Sequence, residues 1–254
     1  MPEPSSYEGL PEAYWTRQVQ RVEDLRNRIR DRSSAASGRV LPSDDDLVIG
    51  SGRRLEAAVM FIDIAGFSRR QSITTQEQEM MLRVLNLFMT EMIRVIEEYG
   101  GHVEKNTGDG LLAYFQERGS ASEQNASKRA VACALTMQAA NEFLIAPVLR
   151  ASAVLPFDFR TTIEYGAVTV ARIGPPQRFN ANVAIGNVAN FASKMLPLVG
   201  PSQIGIGATA RARLPLFWQT NWTEDSGLET GWFYANSSLP YPLYLYTGRW
   251  ARLI

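Results

Sequence analysis

This sequence has little histidine and little cysteine, and it has no excess of positive or negative charge. It has one histidine, His102, and one cysteine, Cys133, so an internal disulfide is excluded, and neither a histidine-based metal site nor a catalytic triad is indicated. Lysine plus arginine and aspartate plus glutamate both number 26, which points to neither a nucleic acid nor a membrane surface as partner. One free cysteine is typical of a reducing cytoplasm, where we expect the protein.

Long hydrophobic runs are also missing. No apolar run approaches the roughly 20 residues that a membrane helix needs. The N-terminus, MPEPSSYEGLPEAYW, lacks the basic and apolar regions of a signal peptide. We therefore predict a protein without membrane contact. A charged helix over 11–32 and a linker, SSAASG, predict an N-terminal extension, 1–40, ahead of a compact domain, 41–254.

Strand-like and helix-like patterns alternate along this domain. The apolar run LEAAVMFIDI predicts a central strand, and the next helix begins at a capping box of Thr74 and Glu77 and ends at Gly100. The later predicted elements are a hairpin in HVEKNTGDGLLAYF, a helix over 123–149, strands in FRTTIEYGAVTVARIG, a helix in GNVANFASKMLPLVG, a strand and helix in SQIGIGATARARL, and closing strands in 217–254. The opening order, strand–helix–strand–strand–helix–strand (βαββαβ), predicts a ferredoxin-like α+β fold in which the first strand lies beside the third.

Two aspartates lie in or next to these predicted strands. Asp63 interrupts the first strand in FIDIAGF, and Asp109 lies in the Gly-bearing turn of the hairpin. Adjacent strands would bring both to one edge of the sheet, where hard oxygen ligands suit Mg²⁺ or Mn²⁺. The amides of Phe67 and Ser68, after Gly66, are candidates to hold phosphate oxygens. The plainer alternative is a strand end and an ordinary turn.

Three motifs in register add a family resemblance. FIDIAGFS, EKNTGDGLLAYF and GNVANFASKM resemble the class III nucleotidyl cyclases, over about residues 52–215. The resemblance implies attack of a ribose 3′-hydroxyl on the α-phosphorus of a nucleoside triphosphate, with release of pyrophosphate. It also implies two Mn²⁺ or Mg²⁺ ions held by Asp63, Asp109 and the carbonyl of Ile64. A head-to-tail homodimer with sites at the interface is implied as well.

The transition-state groups of that family match imperfectly. The resemblance assigns this role to Asn190 and to the position of Lys194, where the family carries arginine. A lysine is a point charge without the planar fork of arginine, so Arg172 or Arg178 could assist it. The plainer alternative for Asn190 and Lys194 is an ordinary helix surface.

The base-reading positions depart further from the family. Lys105 matches adenylyl cyclases, whereas Val183 stands where the family usually has a polar residue or cysteine. Valine makes no hydrogen bond, so a purine loses a partner there. Asn180 or Asn182, from a connection longer than expected, could project into the pocket instead, and an amide can read a pyrimidine edge.

These departures favour a pyrimidine. The donor-only ammonium of Lys105 suits a ring carbonyl, of which uracil has two, and a bulky Phe67 or Tyr114 would close the pocket around a smaller base. The chain also resembles the pyrimidine cyclases of bacterial Pycsar antiphage defence, which implies UTP as substrate, cyclic UMP as messenger and a separate effector. Three alternatives stay open: a cytidylate cyclase, an adenylate cyclase with a relaxed pocket, and a non-catalytic nucleotide-binding module.

Overall fold

The computed structural model describes residues 11–31, 52–70, 73–106, 108–118, 125–173 and 181–251. Within them one sheet is formed by eight strands: β1 Gly52–Ile64, β2 His102–Asn106, β3 Gly110–Gln116, β4 Phe159–Ile173, β5 Ala181–Ile185, β6 Ile204–Gly207, β7 Thr223–Asp225 and β8 Leu243–Tyr246. The α-helices of the same residues are α1 Glu12–Asp31, α2 Thr75–Glu98, α3 Ala126–Ala140, α4 Ala146–Ala151, α5 Asn187–Met195, α6 Ala208–Ala212 and α7 Leu216–Asn221.

The predicted ferredoxin-like order is confirmed. The strands lie in the order β2-β3-β1-β4-β6-β8-β7, and β5 pairs with β4 outside this path. β1 is antiparallel to both β3 and β4, while β4 and β6 are parallel. The first strand therefore lies beside the third, as βαββαβ connectivity requires, and the extra strands extend the sheet beyond β4.

Both faces of β1 are covered, which explains its near-continuous apolar sequence. Met60 and Ile62 belong to the core that includes α2 and α3, on what we call the helix face. Ala57 and Val59 belong to a second core built on α5, on what we call the α5 face. Side chains alternate along a strand, so Asp63 shares the α5 face.

Helix α2 begins and ends where the sequence predicts. The N–H of Glu77 donates to Thr74 Oγ1 at 3.2 Å and the N–H of Thr74 donates to Glu77 Oε2 at 2.9 Å, which closes the capping box. After Glu98 the chain turns through Gly100, whose φ of 68° is a left-handed conformation that glycine adopts without strain.

The helix predicted over 123–149 is interrupted. α3 runs into a π-helical turn, Asn141–Ile145, before α4 ends at Ala151. The combined helix 126–151 is the only one in the described residues long and apolar enough to cross a membrane, although the sequence predicts none. Of its most apolar window, 72% is buried inside the fold, as in a core helix that the sheet and its neighbours enclose.

The N-terminal helix α1 packs against α2. Tyr14 and Val22 are buried there, and Gln18 and Arg21 bind the fully buried carboxylate of Glu91. The helix predicted over 11–32 is thus confirmed as Glu12–Asp31. The boundary predicted near residue 40 lies outside the described residues.

Candidate metal and nucleotide site

The structure places the two predicted metal carboxylates on neighbouring strands. Asp63, at the end of β1, is directly opposite Gly110 of β3, the residue that follows Asp109. The N–H of Ile64 donates to the carbonyl oxygen of Asp109 at 2.9 Å, so the two backbones are bonded at this point. Both residues are partly exposed. The strand order therefore brings Asp63, Ile64 and Asp109 to one edge of the sheet.

Sequence reasoning missed a further residue at this edge. Arg160, on β4, is directly opposite Asp63 on the other side of β1. Its Nε and Nη2 both donate to Asp63 Oδ2, at 2.8 and 2.7 Å. Its Nη1 lies 3.5 Å from the carbonyl oxygen of Val199, which follows α5. The usable signal was a charged residue at the start of a predicted strand, in the segment FRTTIEYG.

The donor set at this edge fits a divalent cation that shares its coordination with a substrate. Asp63 Oδ1 is not used by Arg160, and within the described residues no side chain hydrogen-bonds the carboxylate of Asp109. No group of three or more histidine, cysteine, aspartate or glutamate residues in the described chain could form a closed metal cage. Mg²⁺ and Mn²⁺ are commonly held by one or two carboxylates, with phosphates and waters completing the shell. The residues present match this pattern.

A tight loop leads away from Asp63. The N–H of Ala65 donates to the carbonyl of Asp158 at 2.8 Å, and Gly66 then turns with a φ of 66°. Gly66 opens a 3₁₀ turn over Phe67–Arg69. The first N–H groups of such a turn have no carbonyl partner within it. The amides of Phe67 and Ser68, predicted to meet phosphate, lie at this position.

The side chain of Phe67 is directed to the protein interior. Its ring lies 6.4 Å from that of Phe157 and packs with the core of the helix face. Arg70 lies over the same Phe157 ring at 4.3 Å and donates to the carbonyl of Leu155 at 2.8 Å. These contacts hold the loop in place. They place the ring of Phe67 against the core and not beside the two carboxylates.

The two predicted transition-state residues share one exposed surface of α5. Asn190 and Lys194 are one helical turn apart and both are exposed. The opposite side of α5 buries Ala192 and Met195 against the sheet. α5 and Asp63 lie on the same face of the sheet, and among the described residues no hydrogen bond or ion pair joins Asp63 to Asn190 or Lys194.

The base-reading positions lie on two strands that approach each other. Lys105 is in β2, opposite Leu112, next to an irregularity in the β2–β3 register. Asn182 and Val183 are in β5, and Cα atoms of β2 and β5 come within 8 Å of one another. The side chains of these three residues lie outside the described part of the structure. So do Asn180, Arg178 and the side chain of Arg172.

Tyr114, the other predicted pocket filler, is on β3. It packs with the core of the α5 face and its ring centroid lies 5.0 Å from that of His102. The lone histidine thus has an aromatic neighbour, and the described residues hold no cluster of three or more potential histidine, cysteine or carboxylate metal ligands.

A buried carboxylate behind α5 was also missed. Glu164 of β4 is 2% exposed, and its oxygens accept hydrogen bonds from Tyr241 Oη at 2.6 Å and from the Ala210 N–H at 3.1 Å. Burial raises the pKa of Glu164 from 4.5 to about 7, although its hydrogen bonds act in the opposite direction. The ring of Tyr241 stacks on Phe191, the residue after Asn190, with centroids 5.4 Å apart. Glu164 thereby anchors the segment that supports α5.

Comparisons with known proteins identify the family and agree with the fold. The family model described as the adenylate and guanylate cyclase catalytic domain matches residues 51–228. An uncharacterised protein of Mycobacterium tuberculosis is 27% identical over 183 residues, which are 72% of this chain and 30% of that protein. The chain thus spans well under half the length of the mycobacterial relatives it matches.

A relative with a named activity and a solved structure complete the comparison. A uridylate cyclase of Rhodovulum sp. is 26% identical over 179 residues, which cover 67% of this chain and 71% of that protein. The crystal structure of the guanylyl cyclase Cya2 has a TM-score of 0.64 at 23% identity, covering 78% of this chain and 94% of that one, and shows a shared fold. Since the family model covers most of the sequence and the fold agrees, the chain belongs to the class III adenylate and guanylate cyclase catalytic domain family.

Proposed function

We propose that the protein is a metal-dependent nucleotidyl cyclase that converts a pyrimidine nucleoside triphosphate, UTP first, into its 3′,5′-cyclic monophosphate and pyrophosphate. The cyclase proposal rests on the proximity of Asp63 and Asp109 at one sheet edge. There the N–H of Ile64, the residue after Asp63, donates a hydrogen bond to the carbonyl oxygen of Asp109. Asp63 Oδ1 is not used by Arg160, and no described side chain hydrogen-bonds the carboxylate of Asp109, so both carboxylates keep oxygens that suit a phosphate-bound divalent cation.

Each residue then has a defined task. Asp63, Asp109 and the Ile64 carbonyl would hold two Mg²⁺ or Mn²⁺ ions, which supply charge neutralisation for the phosphates and activation of the ribose hydroxyl. The amides of Phe67 and Ser68 hold phosphate oxygens. Arg160 adds a positive charge beside the triphosphate.

The remaining groups come from a second copy of the chain. Asn190 and Lys194 are exposed on α5, and a homodimer would bring one subunit's α5 to the other's carboxylates. A symmetric dimer makes two such sites. Lys194 would then neutralise the pentavalent phosphorus, with Asn190 orienting the ribose.

Base choice rests on β2 and β5. The approach of these strands supports the proposal that Lys105, Asn182 and Val183 read the base. A valine offers a purine no hydrogen bond, while lysine suits a uracil carbonyl. The name of the Rhodovulum relative, uridylate cyclase, supports UTP. Cyclic UMP made in the cytoplasm would then act on a separate effector, as an antiphage signal.

The test is a product assay. Purified protein is incubated with Mn²⁺ and ATP, GTP, CTP or UTP separately, and products are identified by chromatography and mass spectrometry. We expect cyclic UMP from UTP, and no product from the Asp63→Asn and Asp109→Asn variants, which keep the side-chain shape but lose the charge. Cyclic AMP or cyclic CMP as the main product would overturn the base assignment and keep the cyclase. An active Asp63→Asn variant would overturn the metal site.

A second candidate is a nucleotide-binding module without catalysis. Lysine in place of the family arginine at residue 194 favours it. Nucleotide binding without pyrophosphate release, in the dimeric protein with Mn²⁺, would support this alternative.

A further inference from the structure

The ion pair between Arg160 and Asp63 occupies part of the proposed metal site. Arg160 directs two donors to one oxygen, Asp63 Oδ2, at 2.8 and 2.7 Å. The two side chains are 28% and 24% exposed. Their positions are dictated by the sheet, because Asp63 and Arg160 are directly opposite in the antiparallel β1–β4 register. A carboxylate in this state already has a counter-charge before any cation arrives.

We propose that Arg160 is the resident counter-cation of Asp63 and makes tight metal binding conditional on the nucleotide. The inference rests on the proposed function, since it takes Asp63 to be a metal ligand. A guanidinium and a divalent cation compete for the same carboxylate, because each repels the other and both need its lone pairs. Binding of free metal therefore has to displace Arg160 or tolerate it.

Asp63 and Asp109 differ in this respect. Asp63 is paired with Arg160, whereas the carboxylate of Asp109 has no such partner among the described residues. Replacing a bound guanidinium by a metal ion therefore costs free energy at Asp63 but not at Asp109. A site of this kind binds free metal weakly and keeps the carboxylate neutralised while it is empty.

A triphosphate offers Arg160 a better partner. Arginine binds phosphate through charge-assisted, often bidentate hydrogen bonds, and a triphosphate carries more negative charge than one carboxylate. The only other described contact of its guanidinium is the long one to the Val199 carbonyl, at 3.5 Å. The side chain can therefore turn from Asp63 toward a phosphate while its backbone stays in β4. Asp63 is then released at the moment when the nucleotide arrives with its cation.

The test measures metal binding rather than turnover. Mn²⁺ affinity of the full chain is determined by electron paramagnetic resonance without nucleotide, for the wild type, Arg160→Gln, Arg160→Lys and Asp63→Asn. We expect about fivefold tighter Mn²⁺ binding in Arg160→Gln, the scale of one partly exposed ion pair, and little change in Arg160→Lys, which keeps the charge. Arg83→Gln, at an exposed position of α2, is the matched control and should leave the affinity unchanged.

The second arm adds the α,β-methylene analogue of UTP, which cannot release pyrophosphate. In the wild type the analogue should tighten Mn²⁺ binding more than it does in Arg160→Gln, because only the wild type has a counter-cation to withdraw. A merely structural arginine would give weaker, not tighter, metal binding when it is removed.

The outcomes separate the two proposals. If Asp63→Asn abolishes Mn²⁺ binding but Arg160→Gln leaves it unchanged or weaker, the exchange is refuted and the metal site stands. If Asp63→Asn binds Mn²⁺ as the wild type does, the metal site itself is refuted, and the exchange with it.

Discussion

The buried carboxylate of Glu164 gives a sharp prediction about stability. Its pKa of about 7 in the folded chain lies above the ordinary value of 4.5, chiefly because burial disfavours the charged form. Between these two values the native state holds a proton that the unfolded chain has lost. The contribution of Glu164 to stability is therefore fully present below about pH 4.5 and declines as the pH rises through about 7. Above that pH the penalty for burying the charge is constant.

The size of the effect follows from the shift. A difference from 4.5 to about 7 corresponds to about 3 kcal/mol, at about 1.4 kcal/mol per unit. Of this, about 2 kcal/mol should develop between about pH 5.5 and pH 8.5. Glu164→Gln keeps the shape and can still bond the Ala210 N–H and Tyr241 Oη, but it has no charge to bury. From about pH 5.5 to about pH 8.5, the free energy of unfolding of this variant should therefore rise by about 2 kcal/mol relative to that of the wild type.

The assay is urea unfolding followed by tryptophan fluorescence, at matched protein concentration, from about pH 5.5 to pH 8.5. Taking the difference between variant and wild type cancels the titration of all other groups. Glu79→Gln, at an exposed position of α2, is the control, and its free energy of unfolding should change with pH in parallel with that of the wild type. Tyr241→Phe removes a hydrogen bond that lowers the pKa of Glu164. In this variant the decline in the free energy of unfolding should therefore move to higher pH. Parallel profiles for Glu164→Gln and the wild type would refute the reasoning.

Three further predictions concern other parts of the molecule. Arg21→Met leaves the buried carboxylate of Glu91 without its ion-pair partner and should lower the free energy of unfolding in urea by about 3 kcal/mol; the added change Glu91→Leu should recover much of it. Lys194→Ala should lower kcat by about 10²-fold with an unchanged melting temperature, because an exposed side chain is lost from the transition state only, and Lys194→Arg should retain activity. Gly207→Ala would put a Cβ 1.7 Å from Glu164 Oε2, so we expect a loss of about 1–3 kcal/mol or more in urea unfolding, which Glu164→Ala should partly relieve.

The carboxylate pair could be predicted because it depends on connectivity alone. Once the order βαββαβ is recognised, β1 must lie beside β3, and a residue near the end of β1 must meet the hairpin turn before β3. Asp63 and Asp109 fall at these two positions in the sequence, so no knowledge of side-chain packing is needed. The capping box of Thr74 and Glu77 is equally local, since it involves residues three apart in one turn.

Arg160 and Glu164 were missed because their roles depend on register and burial. The partner of Asp63 on β4 is decided by how the two strands slide along each other, and a shift of one residue would put Arg160 on the other face. In the sequence, Glu164 is a single acidic residue in a predicted strand. It is buried only because Tyr241 and α6, which are distant in the chain, pack against it. The π-helical turn at Asn141–Ile145 likewise has no signal in an alanine-rich helical sequence.

These differences explain why the reaction is easier to infer than its substrate. The groups proposed to bind metal and phosphate lie in or next to β1, β3 and β4, whose mutual positions follow from the backbone hydrogen bonds of the sheet. The groups that would read the base lie on β2 and β5, where the register is irregular or the strand is an appendage of β4. A fold constrains the first set strongly and the second only loosely, so one architecture can keep its chemistry while its base preference changes. For this chain a substitution at Val183 should therefore alter the choice of nucleotide, whereas one at Asp63 should remove turnover with every nucleotide.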